Sequence, residues 1–282
     1  MRSAPLVALA LGLLLPSQIP AAAERASAAP WSAQASPKPG PARAIGSYSA
    51  GCVQGAASLP LAGDGFEVLH PGRNRYYGHP ALLNYVRRLA AGAEAKGLPA
   101  LLVGDLSQPR GGPTPTGHSS HQSGLDVDIA YTRPAQALWR PLDPSERERL
   151  DFVPVLDLGT GRFTADWHPR VADLLELAAT DPAVDRIFVS PVVKRQLCTQ
   201  DKQGAPWLTR LRPWWGHHDH FHVRLACPEG NPDCRGQEPV PPGDGCGQEL
   251  AWWFSQDAHA AAQKRGQAVR PALPPLCADV LK

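Results

Sequence analysis

Between His79 and Gly97 the apolar residues Leu82, Leu83, Val86, Leu89, Ala90 and Ala93 recur at the spacing of one helical face. Pro80 stands at the first helical position and Gly97 just past the last, so the pattern predicts a helix between them. A second helix is predicted behind Pro169, with Val171, Leu174, Leu175 and Ala178 on one face and Asp181-Pro182 as its stop. Elsewhere the apolar runs are short. Residues 101–105, 125–131, 186–189 and 220–225 read as strands, the second alternating Leu, Val, Ile and Tyr with Asp126, Asp128 and Ala130. Strands and helices without regular alternation predict an α+β fold: a central antiparallel sheet flanked by helices, not a doubly wound parallel one.

The ends of the chain differ from this middle. Arg2, an apolar run from Leu6 to Leu15, and Ala21, Ala22 and Ala23 ahead of Glu24 predict a removable export signal over residues 1–23. The run is shorter than the ~20 residues a bilayer crossing needs, and no later run reaches that length, so no membrane span is expected. Residues 24–44, mostly Ala, Pro and Ser, read as a flexible leader, which makes residues 45–282 one folded domain. After Cys227 the proline-rich runs 239–243 and 271–275 predict a loop-rich tail wrapped on the core.

Composition narrows the classes. With 43% hydrophobic residues, 282 residues can bury a sizeable core. Lys+Arg of 28 against Asp+Glu of 26 leaves a net charge of +2, which gives no support to a nucleic-acid groove. The 31 prolines call for long irregular connections. Six cysteines, all beyond the predicted signal, read as a disulfide set in an exported chain, and the absence of Cys-x-x-Cys argues against a redox site or zinc ribbon. Of about 15 connectivities, only Cys227 with Cys234 is favoured by closeness; the tail, which holds four of the six cysteines, is expected to be fastened by disulfides.

The chemistry is concentrated in two histidine windows, residues 117–128 and 216–222, which hold six of the ten histidines. On a strand, His220 and His222 project from the same face, as do Asp126 and Asp128. Two such faces of imidazole and carboxylate suit zinc or a similar ion. A solvated tract that merely sequesters metal is the competing reading; Gly117, Gly124, Leu125, Val127, Phe221 and Val223 around the polar residues favour a packed site. His70, His79 and His259 stand alone and read as surface or core residues.

The segment Gly-His-Ser-Ser-His-Gln-Ser-Gly-Leu-Asp-Val-Asp at residues 117–128, followed by His-Phe-His-Val-Arg at 220–224, closely resembles the penicillin-insensitive murein endopeptidases. These belong to a wider group with lysostaphin-type enzymes, D-Ala-D-Ala carboxypeptidases and the hedgehog signalling domain. The shared motifs are His121-x6-Asp128 and His220-x-His222, and similarity extends to residues 186–189 and 242–246. The resemblance implies a periplasmic peptidase cutting peptide cross-links of peptidoglycan, D-alanyl-meso-diaminopimelyl bonds in particular. It implies one catalytic Zn2+ held by His121, Asp128 and His222, with His220 as general base. It also implies pairing of Cys52 with Cys277, Cys198 with Cys246 and Cys227 with Cys234. Three protein ligands leave a fourth position for water, whose pKa zinc lowers from ~15.7 to ~7.

Further residues extend the expected site. By the same resemblance His118 lines the site and is a candidate ligand of a second ion, and His217 is a site histidine near the base. Arg110 and Arg224 are candidates for substrate carboxylates, since a guanidinium fork matches them; structural ion pairing is the alternative. Asp126 reads as orienting a histidine or capping a turn. Asp166 and His168 are a possible ion-binding pair or a plain helix cap. Trp214 and Trp215 read as a cleft wall or core, and His218 and Asp219 have no role in the motif. No Gly-x-Ser-x-Gly, Ser-x-x-Lys or His-Glu-x-x-His occurs, which disfavours serine catalysis and the common zincin helix. A carboxypeptidase on the same scaffold and a non-catalytic zinc-dependent binding module are the alternatives. Oligomeric state is not readable from the residues.

Overall fold

A computed structural model describes residues 27–115, 119–199, 204–265 and 271–282. The predicted signal and His118 lie outside the described residues. Two strands, β1 (Arg43–Ser47) and β2 (Ala50–Gln54), form an antiparallel hairpin. Seven more, β3 (Ala62–Gly63), β4 (Phe66–Val68), β5 (Leu101–Val103), β6 (Asp126–Ala130), β7 (Val184–Val189), β8 (Leu211–Pro213) and β9 (His220–Leu225), make one sheet in the order β8-β7-β9-β6-β5-β4-β3.

The centre of the sheet is antiparallel, as expected: β7 with β9, β9 with β6, and β6 with β5. Its flanks correct that expectation. The pairs β4–β5 and β7–β8 are parallel, so the sheet is mixed. Parallel neighbours need a crossover, and helices supply it: α1 (Pro80–Ala95) between β4 and β5, and α3 (Pro191–Thr199) between β7 and β8, with α2 (Val171–Thr180) preceding β7.

Both predicted helices form where their apolar faces said. Leu82, Leu83, Val86, Leu89 and Ala90 of α1 join Val171, Leu174, Leu175 and Ala178 of α2 in one buried cluster. Each such Leu or Val side chain contributes roughly 1.5–3 kcal/mol by leaving water. The His79 side chain caps α1 by accepting from the Ala81 amide. Beneath the helices lie Val127, Ile129, Phe221 and Val223, one face of β6 and β9. Alternation then forces Asp126, Asp128, His220, His222 and Arg224 onto the opposite face.

Residues 27–44, expected as a flexible leader, run along the domain wherever they are described. Trp31, in a single helical turn, is 2% exposed and packs with Ile45, Cys52, Cys277 and Val280. Gly112, at φ +75°, leaves the room: a Cβ there would lie 2.1 Å from the Trp31 ring. Composition counted the alanines and prolines but not this one large anchor.

The tail wraps the core and is held by three disulfides, Cys52–Cys277, Cys198–Cys246 and Cys227–Cys234. Helix α4 (Leu276–Leu281) thereby sits on the β1–β2 hairpin, and Arg110 fixes its end by donating to the carbonyls of Val280 and Leu281. Lys194 of α3 is fully buried, its Nζ donating to the carbonyls of Leu208 and Asp244. Burial, with Arg212 nearby, lowers the Lys194 pKa to about 7. Between about pH 7 and 10.5 the unfolded chain therefore holds a proton that the folded chain has released, and stability gains as pH rises through that window. Urea unfolding of the wild type against Lys194→Met across it should show the wild-type gain, and parallel curves would contradict it. No described helix is long and apolar enough to cross a membrane.

Candidate metal centre

Strands β6 and β9 pair so that His222 faces Asp128 and Arg224 faces Asp126. The His222 Nδ1 lies 3.0 Å from Asp128 Oδ1, while its Nε2 is 2.7 Å from Asp126 Oδ1. His121 arrives from the loop before β6, its Nε2 3.3 Å from Asp128 Oδ2 and its ring edge-on to that of His222, centroids 4.6 Å apart. One donor atom from each of His121, Asp128 and His222 falls within 4.8 Å of the others, and all three residues are buried. Among the described residues this is the one group of three or more such donors.

The loop holding His121 is strained and braced. His121 has φ +65°, the left-handed region that a non-glycine residue avoids unless its surroundings enforce it. Next to it, the Gln122 amide donates to the Tyr48 carbonyl in the β1–β2 turn, and the Gln122 carbonyl accepts from the Gly112 amide. Gly111 permits this closeness, since a Cβ there would stand 2.0 Å from the Gln122 oxygen.

Asp126 does what a buried second carboxylate was expected to do. Its Oδ1 takes both His222 Nε2 and Arg224 Nε, each at 2.7 Å. Arg224 also donates to Gln237, and its guanidinium lies 3.6 Å from the centre of the Tyr48 ring. Arg224 is buried and pairs with Asp126, the structural ion pair that was the alternative to substrate binding. Arg110 donates through Nε to the Ser36 carbonyl and through Nη1 to those of Val280 and Leu281.

His220 stands beside the three donors rather than among them. Its Nε2 is 3.7 Å from Asp128 Oδ1, and its Nδ1 is 2.6 Å from Asp219 Oδ1. Asp219 had no role in the sequence; a carboxylate adjoining the expected base was the signal available. His217 joins the site, its ring 5.0 Å from that of His220, with Nδ1 donating to the carbonyls of Trp214 and Trp215. Trp214 is partly exposed and packs edge-on against Phe188, while Trp215 stacks on His259. Asp166 and His168 lie apart, in another cleft of about 250 Å³, where His168 caps the start of α2 by accepting from the Arg170 amide.

At the centre, carboxylates and imidazoles hold one another in their charged forms. Burial works against ionising Asp128, yet His121, His220 and His222 hold its carboxyl well below the usual range. Burial also opposes charge on His121, but Asp128 above all, with Asp126 and Asp105, raises it to about 9. Burial lowers His217 to about 3 and keeps it neutral. Desolvation opposes charge on His220 too, and Asp128 and Asp219 outweigh it, raising its pKa. Two imidazoles and a carboxylate at this spacing, with the far nitrogen of His222 fixed by Asp126, make a donor set that could hold a metal ion.

Fold and centre together define a mixed-sheet α+β protein with one buried His-Asp-His group able to hold a metal ion. Residues 44–282 match the family model described as penicillin-insensitive murein endopeptidase, and the chain belongs to that family. Relatives bearing that name are 43% identical over 255 residues in Yersinia enterocolitica (90% of this chain, 91% of the relative) and 40% identical over 261 residues in Klebsiella pneumoniae (93% and 94%). The Haemophilus influenzae relative is 44% identical over 243 residues (86% and 83%).

Proposed function

We propose that this chain is a periplasmic zinc endopeptidase that hydrolyses D-alanyl-meso-diaminopimelyl cross-links of peptidoglycan. The observation that carries the reading is the buried His121–Asp128–His222 group with His220 at its edge, in a chain whose relatives are named for this activity. His121, Asp128 and His222 would hold the ion, which supplies a Lewis acid able to make water a nucleophile at neutral pH.

The other residues do the positioning. Carboxylates only accept, so Asp219 fixes the proton on His220 Nδ1 and makes Nε2 the atom that takes and returns protons during hydrolysis. Asp126 holds His222 with Nδ1 turned toward Asp128, and Arg224 keeps Asp126 charged in its buried place. Neutral His217, with its Nδ1 proton committed to two carbonyls, keeps Nε2 as an acceptor on a ring beside His220.

Purified cross-linked peptidoglycan decides the activity. Dimeric muropeptides should fall to monomers, with a new diaminopimelyl amine for each cut, and a chelator should stop the reaction until zinc is returned. Release of terminal D-Ala alone would make the protein a carboxypeptidase, and no product with retained binding would make it a binding module.

A further inference from the structure

Next to the metal centre lies a cleft of about 370 Å³ whose lining includes Arg73, Asp105, Asp128, Asp151, Asp219 and His220. Four of these are acidic, and Arg73 is the one Arg or Lys among the described residues that line it. We propose that Arg73 is the carboxylate-binding residue of the substrate cleft. The proposal rests on the endopeptidase reading, because that substrate supplies the carboxylate: in a D-alanyl-meso-diaminopimelyl cross-link, the carbon bearing the scissile nitrogen also bears a carboxylate. An anion so close to the cut bond must enter a cleft already lined by aspartates. It needs a cation there.

Arg73 is placed and available for this role. Asp105 is already neutralised by Arg75, at 2.7 Å and 10% side-chain exposure. Arg73 reaches the other Asp105 oxygen only at 3.7 Å and keeps 48% of its side chain exposed. Its guanidinium therefore has donors to give a second carboxylate, in the forked geometry that suits one. The Asp105 carbonyl accepts from the Asp128 amide, which ties this pair to the metal centre through the backbone.

The backbone that presents Arg73 is held in costly conformations. His70 and Asn74, on either side of the Pro71–Arg73 turn, have φ +51° and +54°. The turn is clamped from outside: the His70 amide donates to the Arg147 carbonyl, and the Gly72 amide to Glu148 Oε2. His70 has its ring nitrogens directed to the Glu148 carbonyl and to Asp151, so it does not compete for the ligand. Strain of this kind persists where the fold over-determines a display position.

The test uses two disaccharide-peptide dimers, one with the free carboxylate on the cross-linking diaminopimelyl residue and one with that group amidated. The wild type should prefer the free acid by about tenfold or more in kcat/KM, most of it in KM. In Arg73→Ala that preference should collapse to about one, and in Arg73→Lys it should be intermediate, since an ammonium lacks the fork. The unfolding midpoint of Arg73→Ala should stay within about 2 °C of the wild type, as expected for an exposed side chain. Calorimetric titration of both dimers into His220→Ala protein, with and without Arg73→Ala, reads the same discrimination without turnover. Discrimination that is absent from both assays, or that survives Arg73→Ala, overturns the subsite. Binding discrimination that depends on Arg73, in a wild type that cuts neither dimer, upholds the subsite and overturns the endopeptidase reading instead.

Discussion

His222→Ala should lose zinc and activity together, whereas His220→Ala should keep zinc near one per chain and still slow by about 10²–10⁴. These residues are two apart on one strand face, so chemistry alone does not separate them. Their partners do. His222 sits between two carboxylates, with Nδ1 3.0 Å from Asp128 and Nε2 2.7 Å from Asp126, inside the three-donor group. His220 holds Asp219 through Nδ1 and stands 3.7 Å from Asp128, outside that group. Elemental analysis of both purified variants beside their turnover on cross-linked peptidoglycan is the measurement. Equal loss of zinc from both would make His220 a ligand and remove it as the base.

Asp126→Ala should destabilise the protein by about 3–5 kcal/mol, the usual cost of leaving a buried charge without its partner. The charge left behind is Arg224, which is buried against Tyr48 and Phe188 and keeps only the neutral Gln237 side chain among its described side-chain acceptors. The same change removes the acceptor that orients His222, so zinc affinity should fall by about 10–100-fold. Urea unfolding of metal-free protein reads the first effect, and a competitive chelator titration the second. Adding Arg224→Met should recover much of the stability but none of the affinity, since it removes the stranded charge without restoring the acceptor. A loss below about 1 kcal/mol in the single variant would mean that Arg224 finds another partner and that the ion pair is not what anchors the centre.

Much of this arrangement was legible in local pattern. Helices α1 and α2 carry enough apolar residues at helical spacing to declare themselves, and β6 and β9 alternate strictly because one face is core. The missed elements have no such signal. The β1–β2 hairpin strands are mostly small residues with only Ile45 and Val53 as large apolar ones, β4 and β8 are three residues each, and a single residue separates α3 from β7. Spacing placed His220 and His222 on one face but said nothing of the register that sets His222 opposite Asp128, which depends on long-range pairing. Arg110 and Arg224 illustrate the limit most directly. A guanidinium suits a ligand carboxylate, a buried aspartate and a helix-end carbonyl equally well, and only the fold decides which it meets.

The way the tail closes over the hairpin bears on the order in which the centre is assembled. The turn between β1 and β2 braces the His121 loop through Tyr48, and the hairpin is itself gripped by Asn231, Asp233 and Arg235 and by the Cys52–Cys277 bridge, which spans 225 residues. A ribosome or translocase delivers those partners long after it delivers residue 121. The emerging chain therefore carries His121 and Asp128 long before the segments that grip the hairpin, and His222 shortly before them, with Cys277 coming last. Synthesis and thiol oxidation must both be nearly complete before the centre reaches its final geometry.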